Sequence, residues 1–324
     1  MAHSPAASAA HPAPIVTLTV NPALDVSTST EAVQPEHKMR CGPSRVDAGG
    51  GGVNVSRVIE RLGGHSTAIY AVGGATGQAY RQLLEAEGII GRAIAIEGST
   101  RENITIDETS TGQQFRFVLQ GPTVSEAEWQ QCVSATEAAM HLGGYVVPSG
   151  SLAPGVPDDF YARIARRARE LGVRCVVDAS GAALAEVVAE GVYLVKPSGR
   201  ELGELLGAPT LTIDEKIEAA RELVGRGRVE VVALTLGGDG AVLVTADSVT
   251  RLASPPITVR STVGAGDSFL AALVLRLAQG HDLAAAFRAG VAAGVATATT
   301  EATELCHRDV VEQFERDLAA AATA

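Results

Sequence analysis

Thr262-Val263-Gly264-Ala265-Gly266-Asp267-Ser268-Phe269 is the stretch on which the reading of this chain turns. The small residues Gly264, Ala265 and Gly266 let backbone N–H groups converge on one point, and the apolar run from Ala265 to Ala278 predicts a helix. A helix start carries unpaired N–H groups and a partial positive charge, which suits an anion. Asp267 falls in the first turn, beside that anion site. A carboxylate there is placed to take a proton from a hydroxyl attacking a phosphoryl group. Asp also favours the start of any helix, so the string alone leaves capping and chemistry both open.

Outward from this stretch the chain alternates. Strands are expected at Ile15–Val20, Thr67–Val72, Tyr145–Val147, Arg174–Val177, Tyr193–Val195 and Val229–Leu236. Helices are expected at Val53–Leu62, Gln78–Glu87, Asp158–Leu171, Glu201–Leu206, Ile213–Val224 and Leu283–Ala298. Such alternation predicts an α/β fold whose mainly parallel sheet is covered on both faces. Between Ile94 and Val118 the pattern changes to short period-two segments, such as Phe115-Arg116-Phe117-Val118. These predict a small antiparallel flap, drawn from about residues 28–40 and 94–118. The expected organisation is one domain over 15–324 preceded by a disordered tail, residues 1–14, rich in Ala, Ser and Pro.

A second glycine cluster, Gly49-Gly50-Gly51-Gly52, precedes Val53-Asn54. Each glycine costs backbone entropy, and packing is not expected to require four in a row. A backbone that touches a ligand is the expected reason, with Asn54 placed to bond a sugar hydroxyl. The stretch is not a nicotinamide fingerprint, because Asn21-Pro22-Ala23-Leu24-Asp25 stands where Gly-x-Gly-x-x-Gly belongs, after the first strand. That disfavours a dinucleotide-dependent oxidoreductase. Asp25 itself, and the loops at Ser149-Gly150-Ser151 and Lys196-Pro197-Ser198-Gly199-Arg200-Glu201, follow expected strands, where parallel sheets bind ligands. Leu236-Gly237-Gly238-Asp239-Gly240 reads equally as a hairpin turn. Lys38 and Arg40 alternate about Met39. Together with Arg101 and Arg116 they form the small basic set available to a phosphate.

Composition narrows the classes. The 324 residues are 46% hydrophobic with 35 glycines, which excludes wholesale disorder and suits a core rich in close turns. A net charge of −11 argues against a nucleic-acid partner. Cys41, Cys132, Cys175 and Cys306 are scattered, with no CxxC pair, as expected for reduced thiols in a cytoplasmic protein. The histidines form no metal-binding spacing, no GxSxG or GxxxxGK[ST] string occurs, and no run is long enough to span a membrane.

Taken together, Asn21-Pro22-Ala23-Leu24-Asp25, the glycine run with Asn54, and Gly264-Ala265-Gly266-Asp267 resemble the ribokinase-like (PfkB) family of sugar kinases, in order and over roughly Ile15 to Phe314. Within it, Gly49–Gly52, Lys38-Met39-Arg40-Cys41 and Thr100-Arg101-Glu102 are most similar to the type-2 ATP-dependent 6-phosphofructokinase branch. The resemblance implies an αβα sandwich with a β lid, and phosphorylation of fructose 6-phosphate at its 1-hydroxyl by ATP with Mg²⁺. It implies Asp267 as base, with the amides of Gly264, Ala265 and Gly266 around the migrating phosphoryl group. It implies Asp25, Gly50, Gly51 and Asn54 on the sugar, and Lys38, Arg40, Arg101 and Ser151 on its 6-phosphate. Lys196, Ser198, Thr235, Gly237 and Gly240 are implied on the ATP side, with Glu201 orienting the metal through water. Lid strands that pair between two subunits are implied as well. Alternatives are a kinase for tagatose 6-phosphate or fructose 1-phosphate, and a non-catalytic sugar-phosphate binder on the same scaffold. Two departures stand out. The family's Asn-x-x-Glu reads Ser198-Gly199-Arg200-Glu201, and Thr300–Glu304 replaces a segment where potassium-binding relatives often have Asn, Gly and Arg. The second predicts weakened or absent potassium activation.

Overall fold

The computed structural model describes residues 12–208 and 210–321. Of the tail expected over residues 1–14, the first eleven lie outside the described residues. Ala13 and Pro14 are anchored instead: Ala13 N–H donates to the Ala278 carbonyl, and the Pro14 carbonyl accepts from Tyr145 N–H.

The chain opens with β1 (Ile15–Thr19), β2 (Ala23–Thr30), β3 (Arg45–Gly49), α1 (Gly51–Arg61), β4 (Thr67–Val72), α2 (Gly74–Ala86) and β5 (Gly91–Ala95). It continues through β6 (Arg101–Glu108), β7 (Gln114–Val118), α3 (Glu126–Ala139), β8 (Tyr145–Pro148), α4 (Phe160–Glu170), β9 (Arg174–Val177), α5 (Gly181–Glu190) and β10 (Val192–Val195). The remainder is α6 (Gly199–Leu205), α7 (Ile213–Gly225), β11 (Val229–Thr235), β12 (Ala241–Val244), β13 (Val249–Leu252), α8 (Ala265–Ala278), α9 (Leu283–Ala298) and α10 (Arg308–Ala321).

Nine strands form one sheet in the order β13-β12-β11-β10-β9-β8-β1-β4-β5. All neighbours are parallel except the β11–β12 and β12–β13 pairs. One apolar layer joins its inner face to α3, α4, α5 and α7, and a second joins the opposite face to α1, α8, α9 and α10. The expected αβα sandwich is therefore the one that forms. The strands read near-continuously apolar because both faces are covered. From β1 the sheet grows one way through β4 and the other way through β8, so the crevice between the carboxyl ends of β1 and β8 is the ligand position of such sheets.

The small sheet, in the order β3-β2-β6-β7, differs from expectation in three ways. Residues 31–44 form a loop, not a strand; the strand precedes it, running straight on from Asn21-Pro22, and Pro35 and Pro43 interrupt the segment that follows. Gly91–Ala95 pairs with β4 at the edge of the large sheet. The β2–β6 pair is parallel, since the long excursion through α1, β4, α2 and β5 supplies the crossover that parallel pairing requires. Asp25 consequently sits in the small sheet, not at the end of the first strand.

α8 is the buried spine of the second layer, lying between α1 and α9, with Phe269 edge-on to Phe287 at a centroid distance of 6.0 Å. Leu270 there is fully buried. Leu270→Ala is expected to cost about 2–5 kcal/mol of folding stability, read as a lower urea midpoint with unchanged slope.

Candidate active site

α8 begins at the N-cap Gly264, whose φ of 74° is in the left-handed region; a Cβ there would lie 2.5 Å from Leu305 Cδ2. Glycine is thus required both by conformation and by space. The first helical bond runs from Ser268 N–H to the Gly264 carbonyl. The preceding amides of Gly266 and Asp267 have no helix carbonyl to meet, and that of Ala265 has only a 3.4 Å contact to the Thr262 carbonyl. These amides and the helix dipole form a positive concavity. At Gly266 a Cβ would approach the Lys196 ammonium to 3.2 Å, so the smallest side chain leaves that cation beside the helix start.

Asp267 is half-buried, and its Oδ2 accepts from Asn54 Nδ2 at 2.9 Å. Its carboxyl is pushed up to about 6, first by burial and then by the neighbouring Asp178 carboxylate; the Asn54 bond and Lys196 act in the opposite direction. Lys196, buried after β10, pairs with Asp178 at 3.1 Å, and despite the burial this partner favours its charged form.

A cavity of about 780 Å³ opens on one side of the helix start. Its wall contains Lys196, Ser198, Glu201, Thr235, Gly237, Gly240, Ala265 and Gly266. It joins all the expected ATP-side residues to the anion cradle. Pro256, Val259 and Val291 supply an apolar flank. The segment 236–240 links the antiparallel strands β11 and β12, so it is a hairpin connection, and it also lines the cavity. Ser198 and Glu201 make a capping box on α6, with Ser198 N–H donating to Glu201 Oε2 at 2.8 Å and Glu201 N–H to Ser198 Oγ at 3.2 Å. Ser thus replaces the amide of the family pattern and keeps Glu201 fixed at the cavity wall.

On the other side of Asp267 lies the crevice under the small sheet. Asp25 Oδ1 accepts from Asn103 Nδ2 at 2.8 Å, and burial raises the Asp25 carboxyl above the usual carboxylate range. Arg101 donates to the Asn21 carbonyl at 2.9 Å and to Ser151 Oγ at 3.3 Å. Arg101 Nε, Asn21 Oδ1 and Ser149 Oγ are buried without a protein partner, which leaves donors and acceptors open toward the crevice. Arg101 and Ser151 therefore meet as expected. Lys38 and Arg40 do not join them within one chain; both are exposed on the 31–44 loop.

Packing gives the glycines a reason beside the expected one. Gly50 has φ of 118°, and Cβ atoms at Gly50, Gly51 and Gly52 would lie 2.8, 2.8 and 2.5 Å from Thr19 Cγ2, Gly150 N and the Leu18 carbonyl oxygen. Close packing of α1 onto β1 and the Ser149-Gly150 turn requires three of the four, and a Cβ at Gly49 would lie 1.9 Å from Asp25 Oδ2, at the edge of the crevice. Asn54 likewise holds the Asp267 carboxylate.

A model of the pfkB family of carbohydrate kinases matches residues 17–309. The chain belongs to this family. Among pfkB relatives, the ATP-dependent 6-phosphofructokinase isozyme 2 of Mycobacterium tuberculosis is 46% identical over 93% of this chain and 88% of that protein. The 1-phosphofructokinase of Bacillus subtilis is 32% identical over 93% and 97%. Escherichia coli phosphofructokinase-2 superposes with TM-scores of 0.89 in complex with fructose-6-phosphate and 0.91 in complex with potassium, at 36% and 37% identity and covering 95% of this chain and 99% of that one.

Two residues at this pfkB site escaped the sequence reading. Asp178 follows β9, and the strand-end rule that drew attention to Asp25 applied to it equally. Arg57 carries no sequence signal, since arginines are seldom buried.

Protonation of Asp267 links the site to stability. Its folded-state carboxyl lies above the unfolded value, so it stabilises the fold fully below the ordinary Asp range, and that contribution is lost as pH rises through about 6. Asp267→Asn is expected to raise stability at pH 8 by up to about 3 kcal/mol and hardly at all at pH 4, measured by urea unfolding at both pH values.

Proposed function

We propose that this carbohydrate kinase transfers the γ-phosphoryl group of ATP to the 1-hydroxyl of fructose 6-phosphate, giving fructose 1,6-bisphosphate and ADP. The observation that carries the reading is Asp267, held by Asn54 at the amide-lined start of α8, between the 780 Å³ cavity and the crevice under the small sheet. The identity with the M. tuberculosis 6-phosphofructokinase, well above that with the B. subtilis 1-phosphofructokinase, supports the choice of acceptor.

Asp267 takes the proton of the 1-hydroxyl while that oxygen attacks the γ-phosphorus. The new O–P bond forms as the bond to the β-phosphate oxygen breaks, and ADP leaves. The amides of Gly264, Ala265 and Gly266 receive the charge on the migrating group, as open donors at a helix start do; one such donor is worth about 3 kcal/mol. A carboxyl that titrates near 6 is mostly ionised at neutral pH, yet basic enough to accept the proton. Asp25, with Gly50, Gly51 and Asn54, borders the sugar, and Arg101 with Ser151 receives the 6-phosphate. Contact of Lys38 and Arg40 with that phosphate requires the 31–44 loop to close or a second copy to supply them. Lys196, Ser198, Thr235, Gly237 and Gly240 take the nucleotide.

For Mg²⁺ the donor set fits: the Glu201 and Asp178 carboxylates are both on the cavity wall beside the anion cradle. These residues would hold the ion through its waters, since Mg²⁺ gives up hydration reluctantly. When bound, it neutralises the β- and γ-phosphates. For potassium, our reading of weak activation rests on the Thr300–Glu304 departure in sequence alone.

A panel of fructose 6-phosphate, fructose 1-phosphate and tagatose 6-phosphate in an ADP-release assay tests the reading. Fructose 6-phosphate is expected to give the highest kcat/KM, with little response to potassium, and Asp267→Asn to lose roughly a hundredfold or more in kcat. Preference for another phosphosugar would remove the substrate assignment, and an unchanged rate in the variant would remove the base.

The outer face of the small sheet also supports a homodimer. Val46, Val26, Ile104 and Phe117 form one cross-strand row across β3, β2, β6 and β7, and Val46, Ile104 and Phe117 are 39%, 40% and 51% exposed. A second copy covers this row in our reading. Light scattering on Ile104→Lys is expected to report a monomer where the parent chain is a dimer.

A further inference from the structure

Arg57 is the largest fully buried side chain among the described residues, 1% exposed, where the other arginines are mostly at the surface. It lies one turn after Asn54 on α1, so the two side chains share a face. Its guanidinium is fully engaged. Nε and Nη2 donate to Glu87, the shortest bond being 2.6 Å; Nη2 also reaches Asp47 Oδ1 at 3.3 Å; Nη1 donates to the Ala48 carbonyl at 2.8 Å and to Asn54 Oδ1 at 3.4 Å. Asp47 in turn accepts from Thr303 Oγ1 at 2.6 Å and Arg45 Nε at 2.7 Å. The guanidinium thus cannot shift without breaking bonds to β3, the end of α2 and, through Asp47, the loop before α10.

A guanidinium only donates, and an ionised carboxylate only accepts. Asn54 stands between the two. Its oxygen must face Arg57, so its amide N–H must face Asp267, and the amide has one orientation where an isolated Asn has two. Donation by the fixed Arg57 polarises the amide and strengthens its bond to Asp267 Oδ2. That bond occupies Oδ2 and leaves Oδ1 for the acceptor hydroxyl.

We propose that Arg57 is a positioning residue for phosphoryl transfer: it locks the Asn54 amide so that Asn54 fixes the Asp267 carboxylate with one oxygen free for the sugar alcohol. This rests on the reading of Asp267 as base. Other charged groups face Asp267 from the surrounding elements: Asp25 on β2, Asp178 after β9 and Lys196 after β10. None of them contacts the Asn54 amide oxygen, but the Arg57 charge also acts on Asp25, so Arg57→Lys, which keeps that charge, isolates the effect on Asn54.

The test uses the full-length enzyme, with Arg57→Gln and the milder Arg57→Lys, each alone and on an Asn54→Ala background, beside Asp267→Asn. Removal of a buried guanidinium lowers stability whatever its role, so kcat is taken per folded active site, and Arg57→Lys carries the test if Arg57→Gln does not fold. Expected are a kcat loss of about tenfold to a hundredfold, a KM for fructose 6-phosphate within about threefold of the parent, and an acid limb of the kcat profile displaced to higher pH. That direction follows because a lost amide donor disfavours the ionised base. On the Asn54→Ala background the Arg57 substitution is expected to cost nothing more, the signature of two residues acting through one contact. A less stable Arg57→Lys enzyme with parental kcat and an unmoved acid limb would overturn the proposal, as would losses that multiply on the Asn54→Ala background. If Asp267→Asn keeps its rate, the base itself is lost and the proposal with it. A dead Asp267→Asn beside an unaffected Arg57→Lys overturns the positioning role alone.

Discussion

The arrangement depends on holding one carboxylate, Asp267, at the positive end of a buried helix without letting the helix quench it. The dipole and the open amides favour negative charge. Burial and the Asp178 carboxylate oppose it, and the balance leaves a group that titrates near 6. A lone Asp at a helix start can turn its carboxylate back onto the free N–H groups as a cap. Asn54 prevents this by drawing Oδ2 toward α1, and the amides stay open. A carboxylate and an anion cradle then share one helix turn, which is the arrangement a phosphoryl acceptor and a migrating phosphate both need.

The rest of the fold brings two helix starts to the same place. α1 and α8 both begin at the carboxyl edge of the large sheet, and both need glycine to do so. The α1 start presses on Leu18, Thr19 and Gly150, while the α8 start presses on Leu305 and Lys196. Tyr80 donates to the Gly49 carbonyl at 2.8 Å from beneath, and Thr303 ties Asp47 to the C-terminal loop. The small sheet is therefore pinned at its base on both sides, and its inward face presents Asp25 and Asn103 to the crevice.

Much of this was legible. The bounds of α8 and α9 follow from glycine and the Ala-rich apolar periodicity, and the parallel strands from their β-branched runs, because these signals are local. The small sheet was partly misplaced because its pairing is not local: Ala23–Thr30 alternates as a strand should, but the proline-bearing segment behind it drew the assignment away. The Ser125–Glu128 capping box also marks the start of α3 in the sequence. The glycine run is visible in the sequence but its packing reason is not, because atoms that exclude a Cβ belong to β1 and to the turn after β8, more than thirty residues or nearly a hundred residues away. Among site residues, Asp267, Lys196 and Glu201 could be chosen by their position after strands or at helix starts. Asp178 was available by the same rule. Arg57 was not, since its importance lies in where its five donors end, and a sequence does not show that.

The account is tested most directly by a crystal structure of this enzyme with ADP, a planar metal-fluoride mimic of the migrating phosphoryl group, Mg²⁺ and fructose 6-phosphate. The account predicts the fluoride group against the amides of residues 264–267, with Asp267 Oδ1 within hydrogen-bond distance of the sugar 1-hydroxyl and Oδ2 still on Asn54. A fluoride group bound away from the α8 start, or a 1-hydroxyl held by some other side chain, would contradict it.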